Sequence, residues 1–271
     1  MYPRHDYNTE LTNDQLKMFA PAIFAEKPYA EVSDKYSFVP TIAVIDMMKQ
    51  SGWMPIFAKQ SSTRVQEKDG YQRHMVRFRH SQDLSFDGGK ERVDVVMHNS
   101  HDRGCAFNLL ASIWRNACAN GLMVSSDLYN FSHRHVGFSQ DEFIESAGLI
   151  TAGASEIAGE VSEMKAIELT PNERGIFSTA AHELVYKVPE EAPIKPAQLL
   201  TEKRWDDKGK DLWTTFNVVQ ENIMKGGLRG GWVNGKKKKK TQGVKSISKD
   251  VKLNKALWTL TEKMKELKLA A

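Results

Sequence analysis

Between Gln72 and His80 the chain alternates its chemistry with a period of two. Arg73, Met75, Arg77 and Arg79 share one parity, and His74, Val76, Phe78 and His80 share the other. Successive side chains of a strand point to opposite faces, so the pattern predicts a β-strand with one cationic face and one face packed inward. At ~3.4 Å per residue, the arginine ladder would advance ~7 Å for every two residues. Lys68-Asp69-Gly70 is a hairpin signal, and Trp53 to about Val65 reads as the partner strand. Beyond a loop holding Asp87-Gly88-Gly89, Arg92 to Met97 reads as a third strand.

The flanking segments suggest what covers this hairpin. Thr41 is a good N-cap for an amphipathic helix carrying Ile42, Val44, Ile45 and Met48 and stopping at Gly52. The polar stretch His98-Asn99-Ser100-His101-Asp102 precedes an apolar run from Gly104 to Asn120. Phe107, Leu110, Trp114, Ala117 and Cys118 would share one face of a long helix there, with Gly121 at its C′ position. The expected fold class is therefore α+β. A three-stranded antiparallel sheet, a β-hairpin plus one strand, packs on a long helix and is followed by a helical C-terminal region.

Four regions follow from breakers and charge. Residues 1–40 form an irregular N-terminal arm with Pro3, Pro21, Pro28 and Pro40, in which Asn13 to Leu16 could start a short helix. Residues 41–137 are the α+β core. Residues 138–200 are helical and acidic, with 11 acidic against 4 basic side chains. Thr170-Pro171-Asn172-Glu173 is a strong start for a helix reaching about Tyr186, and Pro189, Pro193 and Pro196 mark a linker. Residues 201–271 are basic. They hold a helix from Asp211 to Lys225 ended by Gly226-Gly227, the run Lys236 to Lys240, and a last helix from about Lys249 to Leu269. Its expected apolar side is Val251, Leu253, Leu257, Leu260, Met264 and Leu267.

Net charge narrows the partners. The formal total of +4 conceals 18 Lys and Arg against 8 Asp and Glu after residue 200. A basic C-terminal region on an acidic body favours a polyanion partner. The arginine ladder favours DNA held by its phosphates, without sequence readout. The DNA-binding candidates are Lys59, Arg64, Arg73, Arg77, Arg79, Arg92, Arg103 and Arg115, together with Lys236, Lys237, Lys238, Lys239 and Lys240. A charged edge strand guarded against aggregation gives the same ladder a purely structural meaning. Trp232, just before the lysines, could stack on a base or anchor the loop.

Other chemistries find less support. Cys105 and Cys118 would lie ~20 Å apart on a straight helix at 1.5 Å per residue, too far for a disulfide, and read as two reduced, buried thiols. His98, His101, Cys105, His133 and His135 have ligand-like spacing but no C-x-x-C pair, so no metal or other cofactor is expected. There is no G-x-S-x-G, and Gly226 to Gly231 lacks the G-K-[ST] ending of a phosphate-binding loop. No catalytic residue is assigned, and the chain reads as a non-enzyme. It lacks an apolar run of ~20 residues and an apolar leader, which places it in the cytoplasm and off the membrane.

Several segments resemble a family of phage- and plasmid-encoded proteins of undefined function. They are Asn99 to Asp102, Arg115-Asn116-Ala117-Cys118-Ala119-Asn120-Gly121-Leu122, His133 to Gly137, and Val251 to Trp258. In addition, Val44 to Leu122 looks like the core of the eukaryotic single-strand annealing proteins, through a helix, Gly52-Trp53, the Lys68-Asp69-Gly70 turn, a further strand and a long helix ending near a glycine. That resemblance implies a ring of protomers holding single-stranded DNA in a basic groove between hairpin and helix. It places Arg73, Arg77, Arg79, Arg103 and Arg115 in the groove. The resulting expectation is ATP-independent single-stranded DNA binding and strand annealing by a homo-oligomer, in phage or plasmid recombination. The rivals are a regulator or anti-defence protein that binds a host protein through 138–200, and a metal nuclease built on His98, His101 and Asp102.

Overall fold

A computed structural model describes residues 9–32, 36–84, 92–115, 120–123, 130–133, 145–146, 148–150, 152–233, 236–237 and 240–270. The chain forms two compact units, residues 1–115 with 121–154, and residues 116–120 with 155–271.

The first unit is built on an antiparallel sheet. Its strands are β1 (Trp53–Gln60), β2 (His74–His80), β3 (Arg92–Asn99), β4 (Phe107–Arg115) and β5 (Asn120–Met123), in that order, and β6 (Asn130–His133) pairs with β4. The expected three-stranded sheet on a long helix is thereby overturned. The segment read as that helix is the strand β4, paired with β3 from Trp114 to Asn108 and with β6 from Phe107 to Leu110. A short apolar run does not declare its period, and β4 has partners on both sides. Its inward residues alternate as Phe107, Leu109, Ala111 and Ile113, all buried.

One face of the sheet is apolar. Val76, Phe78, Val95 and Met97 join those four residues, and helix α2 (Thr41–Gln50) contributes Val44, Ile45 and Met48 to the core. Residues before α2 also belong to this core. Helix α1 (Asn13–Phe19) starts on a capping box from Thr12 and Gln15, and Leu11, Leu16 and Ile23 are fully buried. Burial of each such aliphatic side chain contributes about 1.5–3 kcal/mol. The N-cap of α2 is Pro40 rather than Thr41. Thr41 instead turns its hydroxyl to His74 Nε2 at 2.8 Å and accepts from Asn99 Nδ2 at 3.0 Å. Gly70 has φ +86° in the connection from β1 to β2, where the Lys-Asp-Gly signal placed a turn.

The second unit is helical, with α3 (Ala154–Ala166), α4 (Pro171–Val185), α5 (Leu212–Lys225) and α6 (Ile247–Leu269). Thr170 caps α4 through a box with Glu173, and Asp211 caps α5 by accepting from Thr214 N at 2.8 Å. Helix α5 is almost wholly buried. Its Phe216 ring lies 6.0 Å from that of Trp258 on α6, and Gln220 donates to Asn254 of α6 at 2.8 Å. On α6 the core residues are Leu253, Leu257, Trp258 and Met264, whereas Leu267 is exposed.

Past α5 the chain turns at Gly226, φ +65°, and crosses the strip 241–243 at close range. A Cβ on Gly226 would lie 2.7 Å from backbone atoms of Gln242 and Gly243, so only glycine fits. Gly227 N to Thr241 O (2.9 Å), Thr241 N to Leu228 O (2.9 Å) and Val244 N to Met224 O (2.8 Å) pin this strip to the end of α5. The strip leads directly into α6. Between α5 and the strip, β7 (Trp232–Val233) and β8 (Lys236–Lys237) form a short hairpin. Among the described residues no helix is long and apolar enough to cross a membrane.

Candidate nucleic-acid interface

The parity of β2 follows the sequence pattern, but its cationic face does not look outward. His74, Val76 and Phe78 are fully buried on the apolar side. On the other side Arg79 is also fully buried, Arg77 is 7% exposed and Arg92 of β3 is 6% exposed. Arg79 grips Asp94 of β3 with two parallel hydrogen bonds, Nε to Oδ1 and Nη2 to Oδ2, each 2.9 Å. Arg77 lies over the Phe57 ring, 6.0 Å from its centroid. Arg73 donates to Gly104 O from Nε at 2.8 Å and also from Nη2. Burial raises the Asp94 carboxyl above its ordinary range, against the opposing pull of Arg79. An ion pair this deep holds strands together and offers no guanidinium to a nucleic-acid backbone. Arg77, Arg79 and Arg92 are therefore corrected from solvent-facing contacts to interior groups.

Sequence reasoning missed Asp94. The available signal was one carboxylate in an otherwise apolar strand, Val93-Asp94-Val95-Val96, beside a strand of arginines. A buried charge needs a partner, and the neighbouring ladder supplied it.

The histidines build a polar seam at the end of the sheet. The His74 and His101 rings are tilted by 41° with centroids 5.0 Å apart, and both approach the Thr41 hydroxyl. His98 Nε2 is 3.7 Å from Cys105 Sγ, and Cys105 N donates to Ser100 Oγ at 2.9 Å. Cys105 thus sits in the β3–β4 connection, not on a helix, and the helical distance to Cys118 no longer applies; Cys118 lies outside the described residues. Burial pushes the Cys105 thiol up to about 11, so it is neither a ready nucleophile nor a ready metal ligand. Among the described residues no group of three or more His, Cys, Asp or Glu is arranged to hold a metal ion.

The remaining candidates divide by exposure. Arg64 and Arg103 are exposed, and Lys59 is half-buried. Arg103 occupies the left-handed region at φ +61°. Arg115 is on β4 and Lys236 and Lys237 are on β8, but their side chains lie outside the description, as do Lys238 and Lys239 altogether. Trp232 is placed on β7 in the same limited way. Lys240 is exposed.

Within the second unit the cations segregate along α6. Towards its C-terminal end they meet the unit's own carboxylates. Lys265 bonds Glu160 at 2.7 Å and Glu163 at 2.9 Å, Lys268 bonds Glu173 at 3.0 Å, and Lys263 bonds Glu266 at 2.7 Å. Arg204, Lys203 and Lys225 converge on buried Glu221 of α5, with both Arg204 nitrogens 2.7 Å from its oxygens. Burial works to raise the Glu221 carboxyl, but the Arg204 hydrogen bonds and the flanking lysines outweigh it and hold the group below its usual range. At the other end, Lys240, Lys245, Lys249 and Lys252 are exposed and meet no carboxylate among the described residues. Lys249 and Lys252 sit three apart on the helix, and Lys240 and Lys245 flank the pinned strip 241–243 before it. This cluster adjoins the β7–β8 hairpin in sequence.

A family model described as "Domain of unknown function (DUF932)" matches residues 28–258. Two proteins of Escherichia coli (strain K12), UPF0380 protein YafZ and UPF0380 protein YfjQ, are each 31% identical over 253 residues, covering 93% of this chain and 90% of theirs. No solved structure matches.

Proposed function

The chain belongs to the DUF932 family, whose description assigns no activity, and on that premise we propose that it holds single-stranded DNA by its phosphates, without ATP and without catalysis. The observation that carries this reading is the set of exposed lysines at 240, 245, 249 and 252, which meet no carboxylate among the described residues. Four exposed cations close in sequence, beside a pinned strip and on one helical turn, suit phosphate contacts that ignore sequence. The buried arginines of β2 are not part of it. Contacts limited to phosphates leave bases free to pair, so annealing of complementary strands is the activity the reading implies. It also accommodates the resemblance to phage- and plasmid-borne proteins and implies work in the cytoplasm, whereas the likeness to annealing proteins loses the long helix it leaned on, since that segment is β4.

In the alternative reading a host protein binds the acidic stretch, where Glu160, Glu163 and Glu173 are already engaged by α6 of the same unit.

The experiment is a salt series of fluorescence anisotropy with a labelled single-stranded oligonucleotide. Wild type is compared with the Lys240/Lys245/Lys249/Lys252→Ala variant. Each lost phosphate contact should flatten the log Kd against log salt slope by ~0.7 for a single strand, so the variant should lose a slope of ~3. A fluorescence assay of complementary strands then reads annealing. Wild type that ignores single-stranded DNA at low salt, or a variant with an unchanged slope, overturns the proposal.

A further inference from the structure

The exposed apolar side chains of the second unit gather around one helix. Among the described residues, Ile176 and Leu184 are on α4, Val188 follows it, and Leu267 and Leu269 end α6; Trp205 is the one other large hydrophobic exposed in this unit. Lys268, between those two leucines, bonds Glu173 at 3.0 Å and so brings the end of α6 to the start of α4. Five such residues in one region form a patch, whereas scattered ones would need no explanation. Ile176 is 55% exposed and Leu184 43%, with half-buried Ala180 between them. A spacing of four residues puts the three on one side of α4. This stripe carries a charge at each end. Glu173 precedes Ile176 by three positions, and Lys187 follows Leu184 by three. Lys187 is exposed and bonds no carboxylate among the described residues.

About Ala180 the stripe is matched in shape and opposite in charge. Ile176 and Leu184 are each four residues from it, and Glu173 and Lys187 are each seven. We propose that this face binds a second copy of the chain, with the two α4 helices antiparallel about a twofold axis at Ala180. Ile176 of each copy then meets Leu184 of the other, and Glu173 meets Lys187, as an isologous contact requires. Parallel pairing would set Glu173 on Glu173 and Lys187 on Lys187, and like charges across an interface oppose it. The methyl group at the axis lets the helices approach to the packing distance of about 8–10 Å. Glu173 accepts from Thr170 N, Thr170 Oγ1 and Lys268 Nζ. A carboxylate offers roughly four acceptor sites, so one remains for the partner's Lys187. A different protein would have to reproduce this complement, whereas a second copy carries it already. A helix pair ~22 Å long is smaller than a standard interface of about 1,600 Å², so the dimer is reversible and micromolar. A twofold contact closes on itself and gives a dimer in place of a ring. The pairing does not depend on the lysine surface.

Sedimentation of the full chain from low to high micromolar concentration tests the pairing. Wild type should pass from monomer to dimer across that range. Ala180→Glu sets two like charges at the axis and should abolish the dimer throughout. Circular dichroism confirms that this variant folds. Lys187→Glu turns both end pairs repulsive and should weaken the dimer without abolishing it, since exposed ion pairs contribute little. A crosslink then reads the register at two exposed positions. Ile176→Cys mixed with Leu184→Cys, one of them tagged, should give a mixed disulfide dimer on oxidation in excess of the homodimers from either variant alone. Wild type sets the background from its own thiols. A wild type that stays monomeric throughout overturns the pairing and leaves the face to another partner. A dimer that persists in Ala180→Glu puts the contact elsewhere and overturns it too. Homodimeric disulfides that form as readily as the mixed one overturn the antiparallel register.

Discussion

Arg79 on β2 and Lys249 on α6 both carry a positive charge in a cation-rich stretch, but their surroundings differ. Arg79 is fully buried and doubly bonded to a carboxylate. Lys249 is exposed and meets none among the described residues. The contrast teaches that clustering of cations does not tell their use. A guanidinium is planar, weakly hydrated and able to pair two oxygens at once, so it tolerates an interior between strands. An ammonium is strongly hydrated and stays in water unless a carboxylate is close. The first unit uses its basic row for cohesion, and we read the second unit's row as a surface for a partner.

The largest way to break this comparison is to remove the interior carboxylate. Asp94→Ala leaves Arg79 charged and unmatched between β2 and β3, and should cost about 3–5 kcal/mol. Chemical denaturation measures it. Replacing both partners, Arg79→Met with Asp94→Leu, should recover most of that loss, because the penalty belongs to the orphaned charge. A single Asp94→Ala variant as stable as wild type would show that Arg79 can reach water.

Glu221 is next. It is buried, and its carboxylate gathers Arg204, Lys203 and Lys225. Glu221→Gln should cost roughly 2 kcal/mol at pH 7, the scale of a hydrogen bond to a charged group. The pH dependence follows from the depressed carboxyl. A group held lower in the folded state than its unfolded value of ~4.3 contributes fully above that value and loses its contribution as pH falls through the folded one. The gap between wild type and Glu221→Gln should therefore narrow in acid, below about pH 4.3. A gap that stays constant down to the acid transition would count against the ion cluster.

Local signals were the most legible part of this chain. The box at Thr170 and Glu173 and the glycines after Lys225 each announce a helix end by short-range chemistry, and the structure places α4 and α5 there, with Asp211, read as the first residue of α5, as its N-cap. The parity of β2 was equally clear. Two things depended on distant neighbours. Phe107 to Ile113 became a strand because β3 and β6 pair with it, and no local feature specifies a two-sided partner. Ser112 and Asn108, polar at alternate positions of that run, were the one hint of period two. Likewise, alternation tells which side chains share a face but not whether that face is covered. A cavity beside Asn222 was invisible for a similar reason, since its lining comes from five stretches between Val185 and Lys249 that meet only in the fold.

The exposed lysines should matter little for stability and much for binding. Lys240/Lys245/Lys249/Lys252→Ala removes no ion pair among the described residues. Its unfolding free energy should stay within about 0.5 kcal/mol per site, as surface substitutions do. Affinity for single-stranded DNA at low salt should fall by more than about tenfold, since each lost phosphate contact carries part of the binding. A variant that unfolds easily would mean that these lysines support the fold after all.

The smallest effect gives the sharpest control. Lys263 lies on the same helix as Lys249 and Lys252, is equally cationic, and bonds Glu266 at 2.7 Å with both side chains mostly exposed. Such a pair contributes about 0–1 kcal/mol, so Lys263→Ala should shift stability by no more than that. If net charge alone drew DNA to this helix, losing Lys263 would weaken binding as much as losing Lys252. If the contacts are local, Lys263→Ala should leave affinity and salt slope near wild type, while Lys252→Ala removes one phosphate contact and ~0.7 from the slope. Paired anisotropy series on the two single variants separate these outcomes, because long-range attraction is screened within about 10 Å at 0.1 M salt and direct contact is not. Equal losses from both variants would reduce the lysine end of α6 to a general field, with no site in it.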